Sequence, residues 1–286
     1  MSLPAALRLG ALVFTAVSFV VLGDTAGKLL TGSGVDPAIV AWSRFAIAAL
    51  ILLPLVGRQP GDLRSLLRWE VFARAVLVAG GIFSILTALK TEPIANVFGA
   101  FFVGPVFSYI LAILFLGERP SPRQALLLVL GLLGVILVVK PGFGATPGIG
   151  FAVLAGLFYG AFLAVTRKVA GAVRPRLLLV SQLVIGAIVL TPVGLSAPIP
   201  LLDAWTVGLL CLSAFASAFG NYLLVLANRI GEASLIAPLI YSQLITATAI
   251  GLLVFGDLPD AIALCGLGLI LASGFGSLLW RRPRVA

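Results

Sequence analysis

Ten apolar runs, each long enough for a membrane-spanning helix, follow one another through the 286 residues of the chain. An α-helix needs about 20 predominantly apolar residues to cross the hydrocarbon core of a bilayer. Glycine, proline and charged residues separate the runs and predict helices at 9–30, 37–56, 70–89, 93–116, 122–139, 148–167, 176–195, 204–227, 232–255 and 260–280. We therefore expect an all-α polytopic membrane protein with one integral membrane domain.

The composition excludes several other classes of protein. Charged residues make up 10% of the chain, against roughly 25% in a soluble domain. The chain has no histidine, and its two cysteines, Cys211 and Cys265, lie within apolar runs and form no CxxC pair. We expect no metal site, no cofactor and no enzymatic activity. The net charge of +9 comes from basic residues scattered between apolar runs, so we expect no nucleic-acid partner.

The distribution of basic residues predicts the orientation, because lysine and arginine near helix ends are retained on the cytoplasmic side. Three basic residues, Lys28, Lys90 and Lys140, fall on one predicted side, and Arg44 and Arg74 fall inside helices. The other side collects fourteen, namely Arg8, Arg58, Arg64, Arg68, Arg119, Arg123, Arg167, Lys168, Arg174, Arg176, Arg229, Arg281, Arg282 and Arg284. Both termini are therefore expected in the cytoplasm.

An internal repeat divides the chain into halves of five helices, at 1–143 and 144–286. The segment 114–139 resembles 253–279, and within these segments the tetrapeptide GERP at 117–120 matches GDLP at 256–259. Prolines 37 and 54 around the second helix match prolines 175 and 192 around the seventh at nearly the same spacing. Because five is odd, the second half must insert upside down, and inverted repeats are typical of secondary transporters.

The turn Gly-Glu-Arg-Pro-Ser-Pro at 117–122, with Arg44-Phe45 in the second helix and Gly104-Pro105 in the fourth, resembles the drug/metabolite transporter superfamily, specifically its EamA-type members. The second half departs from this pattern, with Gln182-Leu183 in place of Arg-Phe and Asp257 in place of glutamate. The resemblance implies a multi-pass transporter of the bacterial inner membrane. Within the superfamily the chain looks like amino-acid exporters of the YddG type, which implies export of aromatic and other neutral amino acids.

A nucleotide-driven mechanism is not indicated. The segment GDTAGKL at 23–29 has three residues between its glycines and leucine after its lysine, whereas a Walker A motif needs four, and serine or threonine after the lysine. We therefore expect secondary transport driven by a substrate or ion gradient.

Asp24 and Arg44 are the ionisable residues placed deepest in the predicted helices. Both lie roughly 10 Å from the outer face at about 1.5 Å rise per residue, so they could pair, although Lys28 competes for Asp24 at i,i+4. Two interpretations stay open: Asp24 binds a proton or a substrate ammonium, or the pair only fixes two helices. Arg74, near a helix end, is expected to snorkel to the membrane interface.

Polar and aromatic side chains in several helices predict a central cavity for a substrate. Ser213, Ser217 and Asn221 form a stripe at i, i+4 and i+8 that lipid would not tolerate. The proposed lining is Trp42, Phe83, Asn96, Phe101, Tyr159, Ser217, Asn221, Tyr222, Tyr241 and Gln243. Pro105 and Pro238 are the candidate helix breaks or gating points, and Gly156 and Gly160 predict close helix packing.

The predicted function is export of amino acids and similar small metabolites by alternating access through this cavity. One alternative is a multidrug or organic-cation exporter in which Asp24 is the coupling acid. A lower-ranked alternative is a membrane protein without transport activity. We expect the lipid bilayer and a small molecule as partners and a monomeric chain; the substrate, the direction of transport and proton coupling stay open.

Overall fold

The computed structural model describes residues 3–57, 59, 61–92, 94–118, 122–139, 146–256 and 260–279. Within these ranges the chain is helical and contains no strand. In this described part of the chain, six segments are long and apolar enough to cross a membrane, and four shorter apolar helices accompany them. The sequence predictions made for Asp257, Arg58, Arg119, Lys140, Arg281, Arg282 and Arg284 lie outside the described residues.

The helices follow the predicted order. They are α1 (Leu3–Gly32), α2 (Pro37–Leu52), α3 (Asp62–Leu66), α4 (Trp69–Thr91), α5 (Ile94–Phe101), α6 (Val103–Leu116), α7 (Pro122–Val139), α8 (Pro147–Val169), α9 (Pro175–Ser196), α10 (Ala204–Ile230), α11 (Ala233–Ile240), α12 (Gln243–Ile250) and α13 (Ala261–Leu279). A 3₁₀ turn at Leu53–Leu55 extends α2, and a π-helical turn at Gly251–Phe255 extends α12.

Local sequence explains where these helices begin. Proline occupies the first position of α2, α7, α8 and α9, where its fixed φ suits a helix and its missing N–H leaves no bond unmade. Asp36, Thr146 and Asp203 precede α2, α8 and α10, and each accepts a hydrogen bond from a backbone N–H of the first turn, at 2.8, 3.2 and 2.8 Å. These caps satisfy amides that would otherwise lack partners.

The fourth and ninth predicted helices are each interrupted by a short break. The first break falls at Phe102 between α5 and α6, and it follows from Pro105, which offers no N–H to the Phe101 carbonyl four residues earlier. The second falls at Tyr241–Ser242, where the Ser242 hydroxyl and N–H both donate to the Leu239 carbonyl, at 2.6 and 3.1 Å. The Leu239 carbonyl therefore accepts hydrogen bonds from the residue three positions later, in place of the regular α-helical bond from the residue four positions later.

The two breaks meet in the middle of the bundle. Phe102 and Tyr241 are separated along the chain by the same interval as the matched glycines Gly117 and Gly256, and their rings contact edge to face with centroids 5.5 Å apart. The two glycines also adopt one conformation, with φ of +66° and +73°, as left-handed caps at the ends of their helices. The repeated sequence thus gives repeated local structure.

Helices from the two halves pack against each other throughout. The most extensive contacts run between α1 and α10, between α4 and α8, between α7 and α13, between α6 and α8, and between α2 and α9. Gly156 and Gly160 of α8 lie against the backbone of Phe101 and Gly104 at the first break, where an added Cβ would collide with their carbonyl oxygens. This confirms the close packing predicted for the two glycines.

One end of the bundle, which we call the basic end, is held by ion pairs between connecting segments. Arg174 binds Asp62, Lys168 Nζ lies 3.3 Å from Glu70 Oε1, and Arg167 Nε lies 3.8 Å from Glu118 Oε1. Glu118 also accepts a hydrogen bond at 2.9 Å from the Ala233 N–H at the start of α11. The segments that the sequence assigns to one side of the membrane therefore meet at one end.

Candidate functional site

A small cavity lies at the centre of the bundle, enclosed by α1, α2, α4, α5, α8 and α10. Its volume is about 30 Å³, which gives room for about two water molecules. Six of the sequence-predicted residues line it, namely Asp24, Arg44, Phe101, Tyr159, Ser217 and Asn221. Residues from both halves of the chain therefore form one site.

Asp24 and Arg44 form a buried ion pair on one wall of this cavity. Arg44 Nη1 donates to Asp24 Oδ1 at 2.8 Å, and the side chains of Arg44 and Asp24 are only 2% and 5% exposed. Arg44 is thus one partner of Asp24, as their similar predicted depth suggested. Both groups border the cavity, so a ligand there can contact either charge.

Neighbouring oxygens fix the orientation of the guanidinium. Arg44 Nη2 donates to the Gly23 carbonyl at 2.8 Å, and Nε donates to Ser213 Oγ at 3.0 Å. Ser213 in turn donates to the same Gly23 carbonyl at 3.0 Å. Three helices, α1, α2 and α10, are joined through this single side chain, and the predicted stripe on α10 faces the interior.

Two polar atoms at the site have hydrogen-bonding capacity that the described part of the chain does not satisfy. They are the hydroxyl of Tyr159 and Oδ1 of Asn221; Asn221 Nδ2 donates within its own helix to the Ser217 carbonyl at 2.9 Å. An unsatisfied buried polar group costs about 1–3 kcal/mol. Water or a polar ligand in the adjoining cavity can supply the missing partners.

The opposite wall is apolar, and sequence reasoning missed most of it. Val78, Ile82 and Ile85 of α4 share one helical face along the cavity, and the Phe101 and Tyr159 rings lie 5.2 Å apart at its edge. In a chain this apolar, a face of valine and isoleucine does not differ from a lipid-facing or core surface. This face of α4 can be recognised as a cavity wall only once the structure places α1 and α10 opposite it.

Other predicted lining residues lie elsewhere. Trp42 packs on α9, where its Nε1 donates to Thr191 Oγ1 at 3.2 Å, and Phe83 packs against the core without lining the cavity. Tyr222 lines a groove between α2, α9 and α10. Tyr241 and Gln243 are fully buried at the second helix break. The direction of each side chain depends on how its helix is rotated about its own axis within the bundle. The spacing of residues along the sequence does not determine that rotation.

The remaining predictions concern the helix breaks. Pro105 lies within α6, three residues after the break at Phe102, and Pro238 lies within α11, three residues before the break at Tyr241. The side chain of Asn96 lies outside the described residues. In the described ranges the hydroxyl of Tyr241 and both amide atoms of Gln243 have no hydrogen-bond partner. The second break therefore places polar groups in the interior of the bundle.

The prediction that Arg74 snorkels to the interface was wrong. Its side chain is completely buried, donating to Thr166 Oγ1 at 3.1 Å and to the Leu178 carbonyl at 2.6 Å. The guanidinium carbon lies 5.0 Å from the centre of the Phe162 ring. The Arg74 side chain points inward because α8 and α9 offer these hydrogen-bond acceptors. The position of Arg74 along α4 does not by itself indicate that acceptors are present there.

Comparison with known proteins gives a consistent result. The sequence profile described as "EamA-like transporter family" matches residues 8–140 and again 146–279. A riboflavin transporter of Rhizobium johnstonii is 28% identical over 271 residues, covering 92% of this chain and 87% of the relative. An S-adenosylmethionine uptake transporter of Rickettsia prowazekii is 24% identical over 252 residues, covering 87% of this chain and 85% of the relative.

A solved crystal structure shares the fold. It superposes with a TM-score of 0.77 at 17% identity, covering 96% of this chain and 99% of the other. The helical arrangement is therefore one that an experimentally determined protein also adopts.

Proposed function

Because the chain belongs to the EamA-like transporter family, we propose that it is a secondary carrier that binds a small organic metabolite beside the Asp24–Arg44 pair. The observation that supports this most directly is the central cavity itself. It combines both charges of the pair with the unsatisfied Tyr159 and Asn221 atoms. Intramembrane charges are costly and usually mark a substrate or ion pathway.

The proposal includes the membrane topology predicted from sequence. Ten spans form two inverted halves, 1–143 and 144–286, in a monomer of the bacterial inner membrane with both termini in the cytoplasm. The pairing of α1 with α10 and of α8 with α4 supports it, because the first and eighth spans exchange with the sixth and third under such a repeat. The ion-paired basic end is then the cytoplasmic end.

The chemistry of the cavity fits a zwitterion of the amino-acid type. The carboxylate of the substrate binds Arg44, and the ammonium group of the substrate binds Asp24. Each substrate charge thus takes the place of the protein side chain that it separates from its partner. Tyr159 and Asn221 supply hydrogen bonds, and the apolar face of α4 receives the side chain. A cavity of about 30 Å³ is too small for such a molecule, so binding requires the helices to open toward one side, as in alternating access.

Riboflavin is a second candidate, and the likeness to the Rhizobium johnstonii transporter favours it. A neutral substrate of that kind would stack its flat ring system between aromatic side chains such as Phe101 and Tyr159. It would leave the Asp24–Arg44 pair intact as a structural element. The two candidates therefore assign opposite roles to the ion pair.

Counterflow in proteoliposomes tests both. The purified carrier is loaded with unlabelled compound and assayed for uptake of labelled neutral and aromatic amino acids, S-adenosylmethionine, riboflavin and an organic cation, with and without a pH gradient. Amino-acid exchange supports the zwitterion proposal, whereas exchange of riboflavin alone would refute it in favour of the second candidate. Cation efflux that requires both a pH gradient and Asp24 would identify a multidrug exporter. In proteoliposomes the net flux follows whichever gradient is imposed, so this assay does not give the direction of transport in the cell. Export is tested by measuring the intracellular and extracellular levels of the substrate in cells with and without the carrier.

Asn221 and Asn228 provide a matched pair for the binding site. Both are buried on α10, both donate to a carbonyl of the preceding turn, and both have an Oδ1 atom without a partner among the described residues. Only Asn221 lines the cavity. Asn221→Ala should raise the apparent Km about tenfold, corresponding to one lost hydrogen bond of about 1.4 kcal/mol, while Asn228→Ala should leave it within twofold.

A further inference from the structure

A second, larger groove runs along the outside of the bundle between α2, α9 and α10. It has a volume of about 530 Å³, and among the fourteen described residues that line it only Arg176, Cys211 and Tyr222 carry a polar side-chain atom. The stacked rings of Phe215 and Phe219 form one exposed wall. It is separate from the central site, because α10 places Ser217 in the cavity and Ala214 and Ala218 in the groove.

The groove carries a positive charge at one end. Arg176 lies in the first turn of α9 and is exposed, and it makes no hydrogen bond or ion pair with any part of the chain that the structure describes. Arg174, two residues earlier, is neutralised by Asp62. An exposed cation that has no partner among the described residues thus lies where the apolar groove reaches the basic end of the bundle.

We propose that this groove binds one acyl chain of an anionic phospholipid, with the lipid phosphate on Arg176. An apolar groove open to the bilayer excludes a polar metabolite, which would lose its hydration without gaining hydrogen bonds. A phospholipid supplies both an apolar chain and an anionic headgroup, and basic residues at the cytoplasmic surface attract such headgroups. The choice of leaflet rests on the proposed orientation.

The position of the groove links lipid binding to the central site. Ile47, Ala48 and Ile51 line it and lie three, four and seven residues after Arg44, on the same face of α2. Ala214 follows Ser213, which binds Arg44. A bound acyl chain therefore supports α2 and α10, two of the three helices that meet at the Arg44 guanidinium, and its loss should slow transport.

Native mass spectrometry of the full chain, with phosphatidylglycerol or phosphatidylethanolamine added, tests the proposal independently of any substrate. The wild type should retain one phosphatidylglycerol in preference to phosphatidylethanolamine. Arg176→Gln should lower this preference about fivefold. Arg229→Gln is the matched control, because Arg229 is an exposed arginine in the last turn of α10, at the same end of the bundle, but outside the groove.

A second pair of variants tests the acyl-chain site. Ala218→Leu adds a side chain inside the groove and should weaken retention of both lipids, while Ala272→Leu adds the same group on the exposed face of α13 and should change nothing. Equal lipid retention by Arg176→Gln and Arg229→Gln would overturn the proposal. So would a change of oligomeric state in Ala218→Leu, since a second copy would then be the occupant.

Discussion

Two of the described arginines, Arg44 and Arg74, are buried inside the bundle, and their surroundings differ in the presence of an acidic partner. Arg44 donates to the Asp24 carboxylate at 2.8 Å. Arg74 donates to two neutral oxygens and lies over the Phe162 ring, and among the described residues no acidic side chain pairs with it. One cation is therefore neutralised inside the membrane, and the other is held by dipoles and an aromatic face alone.

The internal repeat relates the two surroundings. When the halves are aligned on Gly117 and Gly256, Ser213, which binds Arg44, takes the position equivalent to Arg74. In the same alignment Phe162 takes the position equivalent to Gly23, whose carbonyl also binds Arg44. The two equivalent sets of three helices, α1, α2 and α10 around Arg44 and α8, α9 and α4 around Arg74, thus carry their buried cation on non-equivalent members. A neutral pair can exchange partners with a zwitterionic substrate, whereas a cation without a counter-ion has nothing to exchange and suits a fixed contact between helices.

The largest expected effect comes from removing the acid of the pair. Asp24→Asn leaves Arg44 buried and uncompensated, which should lower stability by about 3–5 kcal/mol and abolish counterflow. The double variant Asp24→Asn/Arg44→Gln removes both charges and should recover most of the stability without recovering transport. Thermal unfolding in detergent and counterflow measure the two quantities separately.

The outcome of the double variant decides between the two roles of the pair. Restored stability with restored transport would mean that the charges only fix α1 against α2, as the riboflavin candidate requires. Asp203→Asn serves as the control for a lost carboxylate, because Asp203 is exposed and caps α10 away from the cavity.

The two arginines themselves should respond differently to methionine. Arg44→Met leaves Asp24 as an unpaired buried charge, so we expect a loss of about 3–5 kcal/mol. Arg74→Met removes a charge that has no acidic partner in the described ranges, and what is lost is its two hydrogen bonds and its contact with the Phe162 ring, so we expect a loss of about 1–3 kcal/mol. Unfolding measurements that give equal losses would contradict the comparison.

The sequence was sufficient for part of this comparison. Asp24 and Arg44 stood out because charges are rare in apolar runs, and their similar depth predicted the pairing. The alternation of basic segments and the internal repeat predicted which segments meet. Each of these features depends only on the position of a residue along its helix. Because an α-helix rises by a fixed distance per residue, that position directly gives the depth of the residue in the membrane.

Features that depend on helix rotation and backbone irregularity were not predictable in the same way. Tyr222 is adjacent to Asn221 yet faces a different groove, and Arg74 turns inward because α8 and α9 offer acceptors there. The break at Phe102 places its ring on Tyr241 of the other half. Such contacts form only when the two halves pack together, so no single segment encodes them.

A smaller effect is expected when the space around Arg44 is reduced. A Cβ atom on Gly27 would lie 3.0 Å from Arg44 Nη2 and 2.5 Å from Leu86 Cδ2, so Gly27→Ala should displace the guanidinium and cost about 1–3 kcal/mol. Gly208→Ala is the control, because a Cβ there meets nothing within 4 Å. A counterflow rate reduced several-fold in the first variant only would show that the position of Arg44 matters.

The smallest effect concerns an aspartate–arginine pair outside the membrane, Asp62 with Arg174. Burial raises the pKa of Asp62, but hydrogen bonds from Arg174 and from the Gln59 N–H, with the Arg174 charge, outweigh it and hold the pKa below its ordinary value. Because the folded pKa lies below the unfolded value of about 3.9, the pair stabilises the protein at higher pH and stops doing so as pH falls through the folded pKa.

Comparing Asp62→Asn with the wild type across pH tests this. The difference in unfolding temperature should be small and constant above about pH 5. It should shrink as the pH falls below the unfolded pKa and vanish once the pH is below the folded pKa, where the wild-type carboxyl is protonated as well. High salt should also reduce it, because charges that remain accessible to solvent are screened. The Asp24–Arg44 pair is shielded from solvent and should show no comparable salt dependence, so equal sensitivity of both pairs would contradict a buried central site.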